Sequence, residues 1–73
     1  MDETDSQMKE KIIREFETMK SLELSARDLY ARIAADPSIE PPKVRNTFAT
    51  LAKDEQKHAD VVAEIIGIVT GAL

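Results

Sequence analysis

The chain has 73 residues, 42% of them hydrophobic and 33% charged, with 14 acidic side chains against 10 basic ones, a single histidine and no cysteine. One small domain is the most this length supports, and such a domain buries only about 60% of its unfolded surface, so with disulfides, thiol chemistry, iron–sulfur clusters and zinc fingers all excluded, oligomerisation or a bound metal must supplement the core. The net charge of −4 excludes the clustered Lys and Arg excess of a nucleic-acid footprint.

The N-terminal stretch Met1-Asp2-Glu3-Thr4-Asp5 is acidic, unlike a signal or transit peptide. A first helix is expected over about residues 6–35, with Thr4 or Ser6 as N-cap. Met8, Ile12, Phe16, Met19, Ala26, Leu29, Tyr30 and Ile33 recur mostly every three or four residues, which is one face of a helix. The residue before a proline disfavours the α conformation, so the helix should stop ahead of Pro37. Residues 36–41 read as a turn.

A second helix is expected over about residues 42–70, opening on a proline tolerated at the first helical position. Its stripe is Val44, Phe48, Leu51, Glu55, His58, Val62, Ile65, Ile66 and Val69. The longest apolar run, residues 65–69, is far short of the roughly 18 residues of a membrane span. These features point to a soluble cytoplasmic protein, or one held in an intracellular compartment. The fold class is all-α, a single antiparallel helical hairpin. Two amphipathic helices cannot cover their own apolar stripes, so a homodimer forming a four-helix bundle is expected.

Three polar residues interrupt the stripes. Glu23 falls four residues after Met19 and seven before Tyr30, and Glu55 and His58 fall between Leu51 and Val62. Two side chains three apart on a helix can reach one ion. Glu23 lies about 18 Å and Glu55 about 20 Å from the turn, so the carboxylates should be level. Facing carboxylates that lose their hydration repel one another unless a cation neutralises them. Two hairpins would supply four Glu and two His, the ligand set of di-iron and di-manganese carboxylate bundles. By donor type the set suits Fe, Mn or Zn.

The segments Glu23-Leu24-Ser25-Ala26-Arg27-Asp28-Leu29-Tyr30 and Leu51-Ala52-Lys53-Asp54-Glu55-Gln56-Lys57-His58-Ala59 resemble the two helix signatures of rubrerythrin-type ferritin-like di-iron proteins. The resemblance covers about residues 16–62. Rubrerythrins carry both halves of the bundle on one chain, and many add a cysteine-ligated rubredoxin domain. This chain is closer to the short two-helix members, such as encapsulated ferritin-like proteins, which complete the site between subunits. The resemblance implies two irons per dimer, with Glu23 as a terminal ligand, Glu55 as a bridging carboxylate and His58 as the nitrogen ligand. It also implies a second tier in which Tyr30 hydrogen-bonds a ligand carboxylate, with Arg27 and Asp54 as further orienting residues. An encapsulin-type shell, and hence a protein nanocompartment, is an expected partner of that subgroup, although the tail Gly67-Ile68-Val69-Thr70-Gly71-Ala72-Leu73 does not settle docking.

Each polar residue also has an ordinary explanation. Glu23 can pair with Arg27, and His58 with Asp54, on solvated faces. Met8, Phe16, Met19 and Phe48 read as core, and Glu10–Arg14, Lys57–Asp60 and Asp60–Glu64 as surface charges. Two functions therefore stand: an Fe(II)-oxidising di-iron protein concerned with iron handling or oxidative stress, or a non-enzymatic helical assembly module with a structural metal. Neither implies a nucleic-acid or membrane partner.

Overall fold

The computed structural model describes the backbone of residues 3–72 and the side chains of residues 6–71. Two helices, α1 (Glu3–Ala35) and α2 (Pro42–Ala72), form an antiparallel hairpin, and the described residues contain no strand. Helix α1 begins ahead of the expected boundary, so neither Thr4 nor Ser6 is an N-cap. Helix α2 runs through Gly71, because neither Gly67 nor Gly71 adopts a positive φ and the chain continues in helical geometry. Of the acidic N-terminal stretch and the apolar tail, Met1, Asp2 and Leu73 lie outside the described residues.

The turn is built as its residues predict. Asp36 N–H donates to the Ile33 carbonyl at 3.2 Å, closing α1 on a tightened last turn. The Asp36 carboxylate accepts from Ser38 N at 2.9 Å and Ser38 Oγ at 2.7 Å. This is the aspartate turn that competes with helix continuation. The Ser38 hydroxyl, then the Ser38 N–H and, more weakly, the Arg45 charge hold the Asp36 carboxyl below its ordinary 3.8, against a small opposing effect of burial. Val44 N–H donates to the Pro41 carbonyl at 2.9 Å and starts α2.

Seven-residue spacing organises the seam between the helices. Phe16, Glu23 and Tyr30 on α1, and Phe48, Glu55, Val62 and Val69 on α2, are all at least half-buried. A seven-residue repeat keeps one stripe facing a neighbouring helix along its length. Tyr30 meets Phe48 with ring centroids 5.7 Å apart and planes tilted by 45°. The most buried side chains are Ala59 at 3% and Val62 at 5% exposure, both on α2.

The hairpin is not a closed globule. Its extents are 57 × 14 × 10 Å and its radius of gyration is 16.8 Å, whereas a compact domain of this length has a radius of about 11 Å. It exposes 5321 Å², against the roughly 4,500 Å² usual for a folded monomer of its mass. Large apolar side chains contribute to the excess. Met8, Met19, Leu22 and Leu29 on α1, and Val44, Leu51, Val61 and Ile68 on α2, are exposed, Leu22 and Ile68 at 66% each. On both helices these positions are rotated from the seam in the same sense along the chain. Because the helices are antiparallel, that rotation brings both stripes to one broad side of the hairpin. Thus the single stripe read on each helix divides into a seam and an open face, and Met8, Met19 and Leu29 lie on the open face. Among the described residues, no helix is long and apolar enough to cross a membrane.

Candidate metal centre

Glu23, Glu55 and His58 come together. Each offers one donor atom, and the three atoms lie within 4.8 Å of one another. Glu23 occupies the seam position shared by Phe16 and Tyr30, so the packing of the Tyr30 ring on Phe48 turns its carboxylate toward α2. Glu55 occupies the position shared by Phe48 and Val62. In an antiparallel pair, equal steps of seven from the Tyr30–Phe48 contact bring the two glutamates to one level, as the distances from the turn predict.

His58 differs from the two carboxylates. It shares its position with Val44, Leu51 and Ile65, and its side chain is 59% exposed, against 24% for Glu55. The cluster therefore has two carboxylates in the seam and an imidazole at the edge of the open apolar face. His58 Nδ1 stands 3.9 Å from Glu55 Oε1, too far for a hydrogen bond, so neither donor is used up by the other.

Glu23 Oε2 is buried and has no hydrogen-bond partner. A buried acceptor left unmade costs about 1–3 kcal/mol, and more when charged. Donors bound to one ion at about 2.1 Å stand roughly 3–3.5 Å apart, so the triad is slightly more open than a set of donors gathered on one ion. The donor chemistry and the orphaned oxygen both fit a divalent metal. One hairpin supplies three ligands, fewer than Fe(II) or Mn(II) requires.

The innocent pairings are not those the structure adopts. Arg27 binds Asp28 and Gln56, not Glu23. The ion-pair neighbour of His58 is Glu55, not Asp54. Among the described residues, neither Glu10–Arg14 nor Lys57–Asp60 closes, while Lys20–Glu17 does at 3.3 Å. The Tyr30 ring packs on Phe48, and the described hydrogen bonds include none from its hydroxyl to Glu23 or Glu55. Gln56 was invisible to pattern reasoning. Flanked by Glu55 and Lys57, it reads as a solvated residue, yet it is half-buried and bonded to Arg27.

Compared with known proteins, the chain matches no family model, no curated protein and no solved structure. The centre is thus defined by its own geometry, as a cluster of two carboxylates and one imidazole on a two-helix hairpin.

Proposed function

We propose that the chain is a di-iron carboxylate protein that oxidises Fe(II) at a site completed by a second copy. The observation that carries this reading is the Glu23–Glu55–His58 triad, with its donors within 4.8 Å and its buried, unpartnered Glu23 oxygen. His58 borders the open apolar face, so a second hairpin laid on that face would bring its own triad next to the first. Six protein ligands for two irons would leave positions for an oxidant. Fe(II) is then the substrate, and the protein's part is to hold two ions close enough for two electrons to leave together. The resemblance to ferritin-like proteins supports the same reading, and an encapsulin-type shell as partner belongs to it.

Iron binding to the metal-stripped chain, counted anaerobically before air is admitted, tests the proposal. One Fe(II) per chain, with oxidation faster than in protein-free buffer, is the expected result. Absence of tight binding would overturn it. A second reading, a structural ion stapling an assembly module, is favoured by the open apolar face, which needs covering whatever the metal does. Binding without oxidation would establish that alternative.

A further inference from the structure

At the level of the metal group the seam is lined by small side chains, Ala26 on α1 and Ala52 and Ala59 on α2. Small apolar side chains let helices approach closely, but they present shallow ridges, so they resist axial sliding weakly. A metal group divided between two helices needs the opposite. Slippage by one residue moves Glu55 past Glu23 by about 1.5 Å, which adds to the spread of up to 4.8 Å that the donors already have to close on a common ion.

One polar contact crosses the seam at this level. Among the described residues, the bond from Arg27 Nη1 to Gln56 Oε1 is the only side-chain hydrogen bond that joins the two helices. Arg27 lies one turn beyond Glu23, and Gln56 directly follows Glu55. Both ends are braced. Asp28 Oδ1 accepts from Arg27 Nε at 3.0 Å and from Nη2 at 2.8 Å. Gln56 Nε2 donates to Asp60 Oδ1 at 2.9 Å. Only one orientation of the Gln56 amide satisfies both neighbours, with its oxygen toward the guanidinium and its nitrogen toward the carboxylate. The chain Asp28–Arg27–Gln56–Asp60 has the directional preference that alanine contacts lack.

We propose that Arg27 and Gln56 are positioning residues that lock the level of α2 against α1, and so keep Glu55 and His58 opposite Glu23. Their purpose rests on the metal-site reading, but the lock itself can be observed without metal. The chain has no cysteine, so cysteines introduced at the exposed residues Ser25 and Lys57 accept two spin labels cleanly. With labelled chain diluted into unlabelled chain, the metal-free protein should give one narrow interhelix distance. Gln56→Leu should broaden or shift it, and Gln56→Glu, whose carboxylate still accepts from Arg27 but can no longer donate to Asp60, should restore it in part. In a parallel titration of the unlabelled proteins with Co(II), Gln56→Leu should weaken binding about tenfold at unchanged helical circular dichroism, and Gln56→Glu should recover it in part.

An unchanged distance distribution in Gln56→Leu overturns the proposal, as does a broadened one with undiminished Co(II) affinity. Should Gln56→Leu not fold, Arg27→Lys decides. It keeps a donor for Gln56 but loses the fork to Asp28, so its distribution should be intermediate, and a wild-type distribution counts against the lock. Failure of the wild-type chain to bind Co(II), together with a shifted distance in Gln56→Leu, would sink the metal-site reading and support the lock.

Discussion

At Glu23 stability and the proposed metal binding pull in opposite directions. Its Oε2 is buried without a partner, and the metal-free protein bears that cost. Glu23→Gln removes the charge at constant shape. The metal-free variant should therefore melt higher than metal-free wild type, by about 1 kcal/mol of stability, whereas saturating metal should reverse the order, because only wild type gains binding energy. Calorimetry with and without Co(II) reads both. His58 is the contrasting case. Its side chain is 59% exposed, so His58→Ala should change metal-free stability by less than about 0.5 kcal/mol. It should nevertheless remove iron binding and Fe(II) oxidation, and retained turnover would exclude His58 as a ligand.

At the scale of elements, the turn carries the pH dependence. The Asp36 carboxyl sits below its ordinary 3.8, chiefly through the Ser38 hydroxyl. The folded state thus binds that proton less tightly than the unfolded chain. The stabilisation is fully present above the unfolded value and is lost as pH falls through the lowered folded value. Asp36→Asn should flatten the acid side of the stability profile below the carboxyl's ordinary 3.8, as measured by urea midpoints, without altering neutral metal binding. Helix α2 has a separate reserve. A Cβ added at Gly67 meets nothing within 4 Å and the backbone there is helical. Gly67→Ala should add about 0.5–1 kcal/mol and raise the melting temperature by a few degrees. A fall would mean that position is covered by another surface.

For the whole molecule, the dominant fact is surface left over. Among the described residues, eight large apolar side chains are exposed, all of them on the same broad side as His58. A hairpin 10 Å thick in its smallest dimension has no second layer to cover them. If a second copy does so, the thermal midpoint should rise with protein concentration. Leu22→Glu together with Leu29→Glu should then give a monomer in sedimentation, with reduced helicity and no tight metal binding. A concentration-independent midpoint, with a monomeric wild-type chain, would remove the shared site.

Much of this was legible in the residues because it depends on local chemistry. Periodicity, proline placement and the Asp36–Ser38 pair are short-range, so both helices and the turn follow from them. The level of Glu23 with Glu55 follows too, to within about one residue's rise of 1.5 Å, because helical rise is constant and the turn is short. What local rules could not decide was the partition of each apolar stripe into a seam and an open face. That depends on how far each helix is rotated toward the other, which Tyr30–Phe48 packing and the small Ala52 and Ala59 determine together. For the same reason the sequence pattern grouped His58 with Glu55, and only the tertiary structure set the imidazole at the rim and the carboxylates within. The Arg27–Gln56 bond joins residues 29 apart, and no spacing rule on either helix anticipates it. Composition and periodicity determine that this chain is a helical hairpin bearing ligand-type side chains at one height. Helix rotation decides that those side chains converge, with their donor atoms within 4.8 Å of one another and the imidazole at the rim.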